Sequence, residues 1–534
     1  MPAARLFELT NEKPLDFESA ANVCEGVDGN GPPDGRIPAG LTYLGQMISH
    51  DVVPSTNNRV PRPNKMAVTP CLNLDSIYGD AHFHVIGKTI DLDGKFKLGQ
   101  AKGQISGFDF VYPGEDIIRN DTEEGLIPEP RNDENVLVSQ LHLFWQRLHN
   151  KVVELYFSKK TGEQAFASAK VFVISIFHQV VVDDFLYQIL DPEIYDLYFG
   201  QDQLAKKHRI YNEEKKFDQI PVEFSHAVFR FGHSMVRRKY ILQVGGNSVN
   251  LEDLYITDHT MDLKKENVVD WSLFFGNSIK EDRGMQVASR IDLKFASPMA
   301  NIPDGGFTRH IVGLNLQAAI DEQLPTALEA LDWIRTKRVE LAAAAGLHKS
   351  GECNANKKPF VAASCKGTRL GKSPVKKVTN GKQAKVTQPI KGLDAVNLPL
   401  WLYTLIEDNS LQQRGMKLGK LGSIIIAEVL TNSIEKANVG KLEINFTFTD
   451  IPLPTAKTKT AESTTKTKTA ESTTKTKTDE PTVETKTDEP TVETKTDEPR
   501  PDVFGELKAF YRTVHRLTML DLVKFLNQPA RVRK

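Results

Sequence analysis

Residues 163–190, EQAFASAKVFVISIFHQVVVDDFLYQIL, are apolar around almost the whole helical circumference. A helix without a polar face must be enclosed on every side, so this segment calls for a shell of other helices around it. The neighbouring sequence supplies them. In ENVLVSQLHLFWQRLHNKVVELYF, residues 134–157, Leu137, Leu141, Phe144, Leu148, Val152 and Leu155 recur at steps of three and four. That is the spacing of one helical face. IPVEFSHAVFRFGHSMV, DEQLPTALEALDWIRTKRVELAAAA and LGSIIIAEVLTNSIE also read as helices. Strand signals are scarce, and VRRKYILQV is the best of them. The predicted fold class is mostly α, in a chain of 534 residues that is long enough for one large domain or several average ones.

Two stretches interrupt this pattern. Residues 346–391 are rich in Lys, Gly, Ala, Thr and Asn, with Glu352 the one acidic residue. They read as a disordered basic insertion. A solvated linker is favoured over a nucleic-acid surface, because Phe360 is the only aromatic residue among the lysines. Residues 455–499 repeat with a period of nine: TAKTKTAES, TTKTKTAES, TTKTKTDEP, TVETKTDEP, TVETKTDEP. A Thr/Lys/Glu background cannot form a core, and the glycines and inward apolar positions of a β-helix are missing, so a flexible tether is expected. Helical spacing resumes in Val503–Gln528 with Leu507, Phe510, Val514, Leu517, Leu520 and Phe525. The expected organisation is an N-terminal segment (1–40), a main core (41–345), the insertion (346–391), further core helices (392–450), the repeat (451–502) and a C-terminal helical element (503–534) that packs back on the core.

Bulk properties narrow the partners. The formal net charge is −1, so electrostatics select neither nucleic acid nor a charged surface. Four cysteines, Cys24, Cys71, Cys353 and Cys365, are too few for a disulfide framework. The first residues, MPAARLFELTNEKPLDFESA, contain no apolar leader core, and no run of 18 apolar residues suggests a membrane span. A reduced cytoplasmic protein is expected, with export by a route lacking a cleaved leader as the alternative. Nothing in the sequence sets the oligomeric state.

Four separated stretches hold polar residues that helix packing does not explain: GQMISHD (45–51), PRNDEN (130–135), FRFGHSMV (229–236) and VGLNLQ (312–317). In the first, Gln46 and His50 are four apart and share a helix face, whereas Asp51 is turned about 100° from it. Taken singly, each stretch has a plain structural reading: a core histidine, a helix start capped by Asn132 or Asp133, or a packed amide.

Together, in this order, they resemble the animal-type haem peroxidase superfamily, a peroxidasin- and myeloperoxidase-like group, and its bacterial branch in particular. LNLDSIYGD (72–80), EPRNDENVLVSQLHLFWQRLHN (129–150), LPLWLYTLIE and GKLGSIIIAEVLT add to the match, which runs from Leu41 to Ser433 outside the insertion and resumes at LTMLDLVKFLN. The resemblance implies a haem b cofactor and a reaction with hydrogen peroxide, through an oxoferryl intermediate that oxidises a small organic donor or a halide. It implies that His50 is the distal acid–base, that Gln46 shapes the distal pocket and that Arg131 is the distal arginine. His233 would be the iron ligand, Asn315 would accept its Nδ1–H, and Arg230 would pair with a haem propionate. The chemistry suits these residue types. Iron needs one strong axial ligand and one open side, with an acceptor that orients the ligating imidazole. An imidazole can take a proton from one peroxide oxygen and return it to the other, and a guanidinium can stabilise charge on the departing oxygen.

The resemblance also implies calcium, held by Asp51 together with Thr69, the Cys71 carbonyl, Asn73 and Asp75 of TPCLNLDSIYG. Alternate residues of an extended loop point the same way, so hard oxygen donors can converge there. A hydrogen-bonded Asx loop is the alternative. Departures from the family occur where haem would be linked. Ser49 stands at the first ester position and Asn135 at the sulfonium position, which leaves Glu134 as the one candidate ester. Ala318 replaces an arginine expected three residues after Asn315.

Three other readings compete. A fatty-acid dioxygenase of the same superfamily needs a tyrosine three residues before the iron ligand, where this chain has Arg230. A non-enzymatic haem-binding interaction protein would use the repeat as its working part. A non-haem metal site could draw on His82, His84, His142 and His149, but His142 and His149 are seven apart on one helix and too distant to share an ion unaided.

Overall fold

The computed structural model describes residues 5–7, 34–54, 69–80, 83–101, 115–200, 209–210, 219–256, 263–276, 285–300, 302–304, 307–347, 375–379, 382–386, 398–407, 415–437 and 516–527. The chain divides into a unit of Met1–Asn445 with Arg516–Lys534 and a second unit, Phe446–His515, that lies outside the described residues. The nine-residue repeat belongs to that second unit.

The first unit is mainly helical, as expected. The helices that matter for the site are α1 (Ala39–Val52), α2 (Val136–Val152), α3 (Gly162–Val180), the short α4 (Gly232–Met235), α5 (Ile311–Asp321), α6 (Leu400–Ile406), α7 (Lys420–Lys436) and α8 (Met519–Leu526). Strands among the described residues form only two-stranded antiparallel pairs, such as Lys239–Ile241 with Ser248–Asn250.

The all-round apolar segment sits where its composition requires. α3 packs on α2, and α2 packs on α1. Trp145 of α2 meets Phe177 of α3 edge to face, with ring centroids 5.1 Å apart, and both rings are buried. By length and composition Gly162–Ile189 could cross a bilayer, but most of it is buried inside the helical body.

Several helices differ from the periodic reading in instructive ways. α2 starts at Val136 because Asn135, not Asn132 or Asp133, accepts the Val138 N–H. Its last turn widens into a π-helix at Val153–Phe157, and α3 does the same at Val181–Leu186. The second widening brings two adjacent carboxylates to the C-terminal segment: Asp183 accepts from Leu517 N at 3.0 Å and Asp184 from Met519 N at 2.9 Å. Thr326 caps a fresh helix at Ala327–Lys337 and interrupts the long helix expected over 321–345. IPVEFSHAVFRFGHSMV is not one helix. It passes through a π turn (Glu223–Ala227) and a 3-10 turn (Val228–Phe231) before α4.

Two edges of the pattern can be set beside the expectation. The basic insertion contains an antiparallel strand pair, Val375–Thr379 with Lys382–Val386, in which Thr379 pairs with Lys382. The sequence between these strands is Asn380-Gly381, the dipeptide that two-residue hairpins favour. The C-terminal element is helical at Met519–Leu526, started by a Thr518–Asp521 capping box, while 503–515 lie outside the described residues.

Candidate active site

α1 is buried along its length except at Gly45, Gln46 and Ser49, which share one side of the helix. A strip of partial exposure on an otherwise enclosed helix marks open space beside it. His50 lies one turn beyond Gln46 at the C-terminal end of this strip. Its Nδ1 meets Asn132 Oδ1 at 2.9 Å. Burial, reinforced by the Arg131 charge, lowers the His50 pKa to about 4, so the ring is neutral near pH 7.

Arg131 stands at the C-terminal end of α1 and is heavily engaged. Nε and Nη2 donate to the Glu129 carboxylate at 2.9 Å each, and Nη2 also donates to the His50 and Val53 carbonyls at 3.0 and 2.8 Å. The guanidinium thus caps the helix that carries His50 and neutralises its negative end. Burial pushes Glu129 up, but its bond to Arg131 and that charge outweigh burial and hold it below the usual carboxylate range. Glu134 is partly exposed, and burial together with the Glu129 charge raises it to about 7.

The second cluster lies on α4 and α5. His233 is partly exposed, and Asn315 on α5 is fully buried beside it, with Nδ2 3.1 Å from His233 Nδ1. The orientation of that amide departs from expectation. Arg230 Nη1 donates to Asn315 Oδ1 at 3.2 Å, and a guanidinium can only donate. The oxygen is therefore committed to Arg230, and the nitrogen faces His233. Burial and the Arg230 charge lower His233 to about 3, so it too is neutral. Burial lowers Arg230 to about 10.

The donor set of the two clusters fits a haem-type cofactor. α1 packs against α4. Arg230, Gly232 and His233 are partly exposed among buried neighbours, and a Cβ built on Gly232 would have nothing within 4 Å. Two neutral imidazoles on elements that pack together, with a partly exposed cation near one of them, suit an iron porphyrin carrying carboxylates. Ser49 belongs to the partly exposed strip, whereas Asn135 spends its side chain on the α2 cap. Ala318 offers no second cation on α5.

The loop expected to hold calcium closes on itself. Asp51 is fully buried and accepts from Leu74 N and Ser76 N at 2.9 Å each. These two bonds hold Leu74 at φ 55, a left-handed conformation that an ordinary residue adopts only when its surroundings over-determine it. Thr69 Oγ1 donates to Asp75, and Asn73 Oδ1 accepts from Asp75 N. Cys71 directs its thiol to the Lys436 carbonyl. Burial, with the Asp75 charge added, raises Asp51 to about 7; burial raises Asp75 as well. The oxygen-rich donor set and the repulsion between the buried Asp51 and the partly exposed Asp75 suit a hard cation. The side chains, however, are arranged as the Asx loop, and no metal-holding group of three or more His, Cys, Asp or Glu occurs among the described residues.

Among the described residues, His84, His142 and His149 do not form a metal-holding group. His149 Nδ1 meets Tyr78 OH and its Nε2 meets Gly94 O, His84 Nε2 meets Ile77 O, and His82 lies outside the described residues. Sequence reasoning missed two partners, Glu129 for Arg131 and Asn132 for His50. Both lie inside the EPRNDEN motif, but Asn132 acts on a helix about 80 residues earlier, and Glu129 acts through the Arg131 guanidinium that caps that helix.

A family model described as animal haem peroxidase matches residues 46–340, more than half of the chain. No curated protein matches the sequence. Similar solved structures include peroxidase A from Dictyostelium discoideum, 13% identical with a TM-score of 0.49, covering 81% of this chain and 86% of that one. Fatty acid alpha-dioxygenase of Arabidopsis thaliana is 11% identical with a TM-score of 0.48, covering 79% and 69%. The Oryza sativa enzyme is 13% identical with a TM-score of 0.47, covering 79% and 74%. By the family match, this chain belongs to the animal haem peroxidases, a family of haem-binding proteins.

Proposed function

We propose that the chain is a haem-dependent peroxidase that reduces hydrogen peroxide and oxidises a small organic donor or a halide. The observation that carries the proposal is the pairing of two neutral histidines, His50 on α1 and His233 on α4, on elements that pack together beside partly open space. His233 would hold the iron. Arg230, whose described hydrogen bonds go only to Ser225 O and Asn315 Oδ1, would take a haem propionate. If a propionate engaged Arg230, Asn315 Oδ1 would be free to accept the His233 Nδ1–H, which favours Nε2 as the ligating nitrogen. Bound haem supplies the redox chemistry at iron.

The chain's own residues manage the proton. His50 presents one basic nitrogen, takes the proton of incoming peroxide and returns it to the departing oxygen. Arg131 holds the end of α1 in place and lends positive potential, part of which Glu129 cancels. Gln46 lines the open strip. Arg230 at the position of the required tyrosine disfavours the dioxygenase alternative. Calcium at the Asp51–Asp75 loop and an ester through Glu134 are further parts of the proposal. The loop's oxygen donors support the first, and the partly exposed, raised carboxyl of Glu134 supports the second.

The test is an absorbance spectrum of haem-reconstituted protein before and after one equivalent of hydrogen peroxide, beside His233→Ala. A Soret band that depends on His233 and changes on peroxide addition is expected. Haem uptake indifferent to His233, with no response to peroxide, would leave the interaction-protein reading in front.

A further inference from the structure

Asn132 is fully buried, and each end of its amide is committed. Its Nδ2 lies 3.4 Å from the Ser76 carbonyl and 3.1 Å from His142 Nδ1. A carbonyl can only accept, so the end of the amide facing Ser76 must be the NH2 group. His142 Nδ1 is therefore an acceptor, and the proton of its neutral ring sits on Nε2. The opposite end of the amide, Oδ1, can only accept, and it faces His50 Nδ1 at 2.9 Å. His50 must then carry a proton on Nδ1. Backbone contacts hold the relay at both sides: Asn132 N donates to Glu129 O, and the Ser76 loop is itself tied to Asp51, the residue after His50.

We propose that Asn132 is a positioning residue which fixes His50 in its Nδ1–H form, with Nε2 as the basic nitrogen, and that His142 fixes Asn132. The chain of contacts runs from α2 through the turn before it to α1. It deepens the peroxidase reading and rests on it for its purpose, since a proton acceptor presented in the wrong tautomer cannot take the first proton. The wiring itself does not require haem.

The test uses the full chain with 15N-labelled histidine, without haem. The His50 resonances are assigned by their loss in His50→Gln. In the parent protein His50 should be Nδ1–H. In Asn132→Leu, close in size but unable to hydrogen-bond, the two tautomers should mix. His142→Phe should produce the same mixing with Asn132 still present. Finding Nε2–H in the parent protein, or an unchanged tautomer in folded Asn132→Leu, would overturn the proposal, and the first of these needs no variant to fold. After haem loading, Asn132→Leu should lower the rate of reaction with peroxide by about tenfold or more, a part of the ~10²–10⁴-fold that a positioned acid–base contributes in full. An Nδ1–H His50 in a haem-loaded chain inert to peroxide would sink the peroxidase reading while leaving the assignment of Asn132 standing.

Discussion

Asp184 offers a prediction with a worked sign and size. This carboxyl sits in the π turn after α3, is 6% exposed, and accepts Met519 N at the start of α8. Burial, with Asp521 and Asp183 adding repulsion, raises it from 3.8 to about 7. The folded protein therefore binds a proton between these values that the unfolded chain releases. Stability falls as pH rises through that window and levels off above the folded value. At ~1.4 kcal/mol per pH unit, the gap amounts to about 4 kcal/mol at pH 8. Asp184→Asn keeps an oxygen for the Met519 N–H and cannot ionise. It should exceed the parent protein by about 1–2 kcal/mol at pH 5, where the unfolded carboxyl is already ionised, and by roughly 3–4 kcal/mol at pH 8. Urea unfolding at both pH values measures the difference, and hydrogen exchange over residues 517–526 shows whether the gain lies in α8. A variant that is less stable at pH 8, or whose difference does not change with pH, would refute the claim that a buried, protonated carboxyl clasps the C-terminal helix.

Three further outcomes follow from the site. Arg230→Leu should weaken haem retention, measured by transfer to an excess of apomyoglobin, because no second cation stands at Ala318; unchanged retention would remove Arg230 from the haem site. Calcium should raise the melting temperature by relieving the repulsion between Asp51 and Asp75, and Asp75→Ala should abolish that rise; no response to calcium would leave the Asx loop as the whole account. Burial holds His149 at about 3, so the unfolded chain takes up its proton first on acidification and stability is lost from about pH 6.5 downward. His149→Gln should flatten that loss by about one proton, seen as a slope change of ~1.4 kcal/mol per pH unit in urea unfolding; an unchanged slope would mean that His149 is not buried neutral.

The enclosure of residues 163–190 is legible in the sequence because it is local. An all-round apolar segment has no other stable place than inside a helical shell, and α3 is found there against α2. The faces of α1 were equally readable: four-residue spacing sets Gln46 and His50 on one side, and Asp51 turns to the loop at Leu74 and Ser76. Helix ends were read less well. Asn135 rather than its neighbours caps α2, and Thr326 starts a new helix, because a cap is chosen by which N–H groups remain unsatisfied. Composition alone does not disclose the strand pair in the insertion; the Asn380-Gly381 dipeptide between the strands is the local signal for it.

What the amino-acid order determined by itself is the helical class, the burial pattern and the set of polar residues that packing does not explain. What only the tertiary structure decided is how those residues bond. Arg131 holds Glu129 and the end of α1, Asn315 turns its oxygen to Arg230, and Asn132 bridges His50 and His142. Each of these contacts lets a donor or acceptor enclosed by packing find its partner, and most join groups about 80 residues apart in the chain. Periodicity reaches one or two helical turns along a chain; the direction of an amide or a guanidinium depends on whatever the fold brings to its other side.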